Sequence, residues 1–218
     1  NLLKVRAAYA RSGNVNLGGS TGGAYQLDPV FTTSGTFPFG PVSSFSQGDA
    51  QKDPQIKPDF VNTKEVGLEM RLLKNRINFE ASVYEQKNTD QVLAVSLPAS
   101  SGFTSSLVNA GAFTNKGYEL DLKLTPLFSM GKFGLDLKTN YSYNTNKVTK
   151  IYQDLPEIGI GNLNSIVLGR EAYLLKLTDF KRDPQGRVIV DANGSPSADV
   201  NRKLYGNTIP KHTVGISP

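Results

Sequence analysis

Carboxylates and a single histidine are the side chains of this sequence that could do chemistry. The sequence has one histidine, His212, and no cysteine, which excludes a disulfide and a thiolate metal site and argues against a histidine-based triad. Glu65 and Glu69 lie four residues apart in an alternating segment, so on a strand they would share one face about 13 Å apart. That distance exceeds the carboxylate spacing of glycosidases. We therefore expect no enzymatic activity and no cofactor.

A second group of oxygen donors lies near the carboxyl end, at Asp179, Asp183, Asp191 and Asn193. Carboxylate and amide oxygens could bind calcium, but these residues lack the regular ladder of a calcium loop. The neighbouring glycines and prolines favour turns, and we expect no metal. The formal net charge of +5 is modest, and a solvated surface explains it better than nucleic-acid binding.

The elements that carry these residues are strands, because apolar and polar side chains alternate with a period of two. In residues 3–9 the apolar side chains occupy odd positions, while Lys4 and Arg6 point the other way. This pattern predicts an all-β chain with six membrane-crossing strands, at residues 2–12, 63–73, 76–95, 113–125, 132–148 and near 210–214. No apolar run approaches the ~20 residues of a transmembrane helix.

The connections alternate between short turns and long loops. Short turns are expected at residues 74–75 and 126–131, and long outer loops at roughly 13–62, 96–112 and 149–208. A soluble sandwich rarely needs such loops, whereas a transmembrane barrel has short periplasmic turns and long extracellular loops. Six strands would leave two open edges in lipid. The sequence therefore predicts a portion of a large, about 22-stranded, antiparallel transmembrane β-barrel.

The two faces of the predicted strands differ in polarity. Unpaired charges are too costly for a dry core, so we expect a polar lumen lined by Lys4, Arg6, Glu65, Glu69, Arg71, Glu119, Asp121 and Lys123. Glu65 and Glu69 would pair with Arg6 or Lys123 on neighbouring strands. Aromatic residues near the strand ends fit the girdles at the lipid headgroups, although aromatics are common in any strand. They are Tyr9, Phe79, Tyr118, Phe133, Tyr141 and Tyr143.

Several segments resemble one family. They read LLKVRAAY (2–9), KPDFVNTKEVGLE (57–69), YEQKNTDQVL (84–93), NAGAFTNKGYEL (109–120) and RVIVDANGSP (187–196). In this order they are similar to the barrel motifs of the SusC/RagA-like TonB-dependent outer-membrane transporters of Bacteroidetes. The resemblance covers nearly the whole chain and is most specific in residues 109–120.

The resemblance implies a function and partners. It implies an integral outer-membrane barrel that imports oligosaccharides or peptides together with a SusD-like surface lipoprotein. The TonB–ExbB–ExbD complex would act through a plug and a TonB box, neither of which this sequence contains, so we expect a piece of a longer protein. Membrane lipid and lipopolysaccharide would surround it. A secreted β-rich adhesion or glycan-binding module is the alternative, and a β-sandwich hydrolase is a more distant one.

Two sets of residues remain as site hypotheses. The motif residues Asn109, Gly111, Asn115, Gly117 and Glu119 are expected to be structural, since Asn and Gly tolerate positive φ where a loop enters a strand. The aromatic residues of the first long loop could stack on sugars or contact a protein partner. Packing of that loop on itself is an equally good interpretation. These aromatics are Tyr25, Phe31, Phe37 and Phe39.

Overall fold

The computed structural model describes residues 1–14, 31–33, 42, 44–160 and 163–218 of the chain. Their strands are β1 (Leu2–Asn14), β2 (Phe31–Thr33), β3 (Phe45–Gln47), β4 (Ala50–Lys52), β5 (Asp59–Leu72), β6 (Ile77–Ser96), β7 (Ser105–Met130), β8 (Phe133–Ile151), β9 (Glu157–Ile160), β10 (Asn164–Val167), β11 (Leu174–Leu177), β12 (Lys203–Asn207) and β13 (His212–Ser217). Two short 3₁₀ helices span Ala99–Ser101 and Tyr152–Asp154. In the part of the chain so described, no helix is long and apolar enough to cross a membrane.

The main sheet contains the long strands in the order β1-β5-β6-β7-β8-β13, each antiparallel to its neighbour. The short strand β4 also belongs to it and pairs parallel with β7 at Ser105–Leu107. Strand β8 ends at Ile151, opposite Gly111, so β4 pairs with a part of β7 that β8 does not reach. The antiparallel all-β fold predicted from the alternation is confirmed.

Tight turns lie at one end of the main sheet. Leu73, Lys74 and Asn75 have φ of 52°, 56° and 69° between β5 and β6, and Gly131 has φ of 59° between β7 and β8. The connections at residues 15–58, 97–104 and 152–211 all leave from the opposite end. We call these the turn end and the loop end.

The predicted strand limits were too short at the loop end. Strand β7 begins at Ser105 rather than near residue 113, so much of the expected loop 96–112 is strand. The expected loop 13–62 contains β2 to β4 and the start of β5, and the expected loop 149–208 contains β9 to β12. A bulge in β7 explains the first error: Gln91 pairs with Gly111 but Val92 pairs with Asn109, so β7 has one extra residue here and its alternation is interrupted.

A small hydrophobic core forms only at the loop end of the described structure. Strands β9 to β12 form a second sheet in the order β12-β11-β10-β9. Val148 is 2% exposed and, by alternation, lies on the same face of β8 as Ser142 and Asn144. The second sheet therefore covers this face near the loop end. The buried cluster consists of Val95, Val108, Ala110, Val148, Ile151, Ile158 and Ala172.

Candidate functional site: the two faces of the main sheet and its loop end

Charged residues share one face of the main sheet, because residues paired across antiparallel strands point the same way. One row runs Lys4–Glu69–Glu80–Asp121 across four strands, and the next runs Arg6–Gly67–Ser82–Glu119. All eight residues that the sequence analysis assigned to a lumen lie on this face, which we call the polar face. They are Lys4, Arg6, Glu65, Glu69, Arg71, Glu119, Asp121 and Lys123.

Arg6 is the centre of the ion pairs on the polar face. Its Nη1 lies 2.5 Å from Glu80 Oε1 and its Nε lies 3.5 Å from Glu65 Oε1. Gly67 is paired with Arg6, and a Cβ at Gly67 would lie 2.6 Å from Arg6 Nε. The glycine therefore gives the guanidinium room to lie across the sheet. The pair with Glu65 was expected from the sequence, whereas the pair with Glu80 was not.

Glu69 has partners other than those expected. Its carboxylate lies 2.6 Å from Arg71 Nη2 and 3.8 Å from Lys4 Nζ, not next to Arg6 or Lys123. The cations of both pairs are exposed, so these ion pairs contribute little to stability. The polar face therefore carries exposed charge that water can reach.

Gly117, in the motif at residues 109–120, allows close packing. Gly117 pairs with Tyr84 of β6, and a Cβ at Gly117 would lie 2.5 Å from the Tyr84 hydroxyl oxygen and 2.7 Å from Cζ. The hydroxyl end of the tyrosine therefore occupies space that a side chain at position 117 would fill. Gly111 likewise allows Lys150 O to approach, 2.9 Å from where its Cβ would be.

Asn109 fastens the loop before β5 to the main sheet. Its Nδ2 donates to Lys57 O at 2.8 Å and to Asp90 O at 2.6 Å, and its Oδ1 accepts from the Lys57 amide at 2.9 Å. The side-chain amide thus pairs with Lys57 as a strand backbone would. Asp90 has φ of 57°, in the bulge of β6. The expected reason for this asparagine was wrong: among the motif Asn and Gly residues, all of them described, none has positive φ.

The opposite face of the main sheet, the apolar face, exposes its hydrophobic side chains. Val5 is 69% exposed, Val83 62% and Ile216 70%. Aromatic rings cluster towards the loop end of this face: Tyr118 lies 5.4 Å from Tyr143 between ring centroids. A sheet that buried this face in a soluble core would not leave these residues accessible.

His212 belongs to the same aromatic cluster. Its Nδ1 shares a 2.8 Å hydrogen bond with the Tyr141 hydroxyl, and its ring lies 4.9 Å from that of Tyr143. Tyr118 and Tyr141 also have hydroxyl oxygens 3.4 Å apart. Rings with an apolar body and a polar edge suit the interface between hydrocarbon and water.

Aromatic residues of the first loop are only partly described. Phe31 in β2 is 65% exposed, and Phe45, in the paired strand β3, is similarly exposed. Tyr25, Phe37 and Phe39 lie outside the described residues. The hypothesis of a contact surface thus depends on Phe31 alone among the four residues named for it.

The acidic residues near the carboxyl end form turns. Asp183 Oδ1 accepts from the amides of Gln185 and Arg187 at 3.0 and 2.9 Å, and Asp191 Oδ1 accepts from Asn193 and Ser195 at 2.9 Å each. The Arg187 amide lowers the pKa of the Asp183 carboxyl. Within the described ranges, no group of three or more His, Cys, Asp or Glu residues could hold a metal ion.

Two ion pairs hold the second sheet and its flanking segment in place. Lys176 Nζ lies 2.7 Å from Glu157 Oε1, and this hydrogen bond lowers the pKa of Glu157. Lys211 Nζ contacts Glu171, and their hydrogen bond lowers the pKa of that carboxyl. Glu171 therefore ties the segment beside β8 to the residue that precedes β13.

Known proteins with similar sequences and structures identify the family of this chain and the fold to which its main sheet belongs. The family described as TonB dependent receptor-like, beta-barrel, matches residues 1–216. The chain belongs to this family. The RagAB peptide transporter structure superposes with a TM-score of 0.76 at 21% identity, covering 98% of this chain and 24% of that one. The RagAB importer in its closed-closed state gives a TM-score of 0.72 at 22% identity, so this TonB-dependent receptor-like chain has the fold of a RagA-type barrel segment.

Curated relatives agree with the family. TonB-dependent receptor P39 of Formosa agariphila is 28% identical over 69% of this chain and 14% of its own length. TonB-dependent receptor SusC of Bacteroides thetaiotaomicron is 24% identical over 92% of this chain and 22% of its own length. The matched relatives are receptors and transporters, not enzymes. This TonB-dependent receptor-like chain spans only about a quarter or less of their length.

Proposed function

We propose that this chain is part of the barrel wall of a SusC-like TonB-dependent transporter in the outer membrane. The apolar face would contact lipid, and the polar face would line the lumen through which oligosaccharides or peptides pass. The observation that carries this proposal is the opposite character of the two faces: exposed valine, isoleucine and leucine on one, and exposed ion pairs on the other. The segment itself performs no chemistry.

The proposed partners follow from the family. A SusD-like lipoprotein would cover the loop end, and the TonB–ExbB–ExbD complex would supply energy through a plug elsewhere in the full-length protein. Support comes from the relatives, which include SusC and the RagAB peptide transporter. The exposed Phe31 and Phe45 are candidate contacts for such a lipoprotein or for the substrate.

Spin labels on the two faces of the full-length receptor test the orientation. Cysteine would replace Val83 on the apolar face or Glu119 on the polar face, and this segment has no cysteine of its own. In outer-membrane vesicles, we expect molecular oxygen to relax the label at position 83 and a water-soluble nickel complex to relax the label at position 119. Equal access of the nickel complex to both labels would favour the alternative, a secreted adhesion module.

Deletion of the gene tests the transport. The deletion strain should grow poorly on an oligosaccharide or a peptide as the sole carbon source, and the full-length gene should restore growth. Co-purification of a lipoprotein with the receptor would identify the partner. Unchanged growth on both classes of nutrient would contradict the import function but would leave the membrane orientation untouched.

A further inference from the structure

A cluster of cations occupies the apolar face just beyond its aromatic residues. Tyr9 pairs with Lys64, and the same row continues through Glu85, Lys116 and Thr145. Rows are about 7 Å apart, since each advances two residues along a strand. These cations therefore begin one row above Val83, Tyr118 and Tyr143, towards the loop end.

The next row adds further cations. It runs Arg11–Asn62–Lys87–Thr114–Lys147. In these two rows five cations face a single carboxylate, Glu85, which lies 3.4 Å from Lys87 and 3.7 Å from Lys116. The described residues place no carboxylate within 4.0 Å of Lys64 or Lys147.

The backbone beside β8 gives this cluster a concave shape. The Val148 amide donates to Arg170 O at 2.8 Å, and the Gly169 amide donates to Val148 O at 3.0 Å. Residues 169–171 thus run along the edge of β8 and form one wall of a groove of about 820 Å³. The groove is lined by Lys87, Lys116, Lys147, Arg170, Glu85 and Glu171.

Glu171 does not neutralise the groove. Its carboxylate contacts Lys211 and lies 3.4 Å from Asn207 Nδ2. Glu85 is shared between two lysines. One carboxylate cannot neutralise both Lys87 and Lys116. The groove therefore keeps a net positive charge, to which Lys147 and Arg170 also contribute.

We propose that this groove binds the phosphorylated headgroup of an outer-leaflet lipid. The cationic groove continues directly from an apolar surface, so acyl chains could lie on the valines while a phosphate contacts the lysines. A headgroup phosphate meets several N–H donors there, as charge-assisted hydrogen bonds require. This inference rests on the proposed orientation of the sheet in the outer membrane.

Binding of lipid A to the full-length receptor in detergent tests the proposal, with native mass spectrometry giving the affinity. The variant Lys87→Gln/Lys116→Gln/Lys147→Gln removes three charges from the groove. We expect it to bind bisphosphorylated lipid A at least about tenfold more weakly, since each surface cation contributes a several-fold factor. Lipid A without phosphates should bind the unaltered receptor as weakly as the intact lipid binds the variant.

A matched control separates the groove from overall charge. Lys4→Gln/Lys123→Gln/Lys138→Gln removes the same number of charges from the polar face and should change the affinity less than twofold. Equal weakening by both triple variants would overturn the proposal. Displacement of lipid A by millimolar inorganic phosphate would also overturn it, because the groove would then be a site for free anions.

A variant that should bind lipid A more tightly distinguishes loss of the groove charge from misfolding. Glu85→Gln removes the shared carboxylate and should tighten lipid A binding several-fold, which a damaged barrel would not do. Heat-dependent mobility in a detergent gel verifies that each barrel is folded. If Glu85→Gln binds lipid A no more tightly, the proposal fails. Spin labels that still report the predicted faces would then leave the proposed function standing.

Discussion

Replacing Asn109 with alanine should loosen the loop before β5 without unfolding the barrel. The side chain makes three hydrogen bonds, two with the backbone of Lys57 and one with Asp90 O. After the substitution, the loop is still held by the pairing of β4 with β7 and by the Asp53 amide bonded to Leu107 O. The effect should therefore be local.

The magnitude follows from the three bonds. A net contribution of about 1 kcal/mol each would give about 3 kcal/mol. Asn109 is only half-buried, so water can replace part of this, and about 1–2 kcal/mol should remain. That change raises the population of the locally open loop about 5- to 30-fold.

Hydrogen exchange of the full-length receptor measures this directly. The Lys57 amide donates to Asn109 Oδ1, so the peptide containing it should exchange about 5- to 30-fold faster in Asn109→Ala. Asn115→Ala is the matched control, since its side chain has no such bonds among the described residues, and it should leave this peptide unchanged. Unchanged exchange in Asn109→Ala, or equal acceleration in both variants, would refute the reasoning.

Three further predictions follow from the same structure. Gly117→Ala should weaken the folded barrel, seen as a lower temperature for loss of its compact gel mobility, whereas Gly134→Ala should not, because a Cβ there meets open space. Hydrogen bonds from Lys176 and then from Ser165 lower the pKa of Glu157 below 4.5. The contribution of the Glu157 carboxylate to stability is therefore present above about pH 4.5 and is lost as the pH falls through the lowered pKa. Amide exchange in β10 should accelerate there, and Lys176→Gln should weaken this dependence. Arg6→Met should change stability by under about 1 kcal/mol, as expected for an exposed pair; a much larger loss would show that the polar face is dry.

The two faces of the sheet could be predicted because side-chain direction alternates along a strand. In Lys4-Val5-Arg6, for example, alternation alone places Lys4 and Arg6 on one face and Val5 on the other. This assignment does not depend on which strand is the neighbour. Partners across strands depend on register, which the turns determine. For this reason Arg6 was assigned to a charged face, whereas its short contact with Glu80, 74 positions away, was missed.

The role of Asn109 could not be predicted for a related reason. Its partner Lys57 is 52 residues away. Strand β7 also has an extra residue between Asn109 and Gly111, which interrupts the alternation that would have shown this strand extending to Ser105. Residues 157–177 were assigned to a loop because strands of four residues carry too little periodicity. Their apolar residues Ile158 and Ala172 are buried only by packing on β6 to β8.

The second sheet makes the wall two layers thick at the loop end and one layer thick at the turn end. Resistance to bending rises steeply with thickness, so in the proposed membrane orientation the rim should keep its outline when lipid pressure deforms the thinner part below it. The hydrophobic core of the described residues lies in this rim, and it therefore does not depend on lipid to stay packed. The mouth of the barrel would then have a fixed shape against which a partner could close.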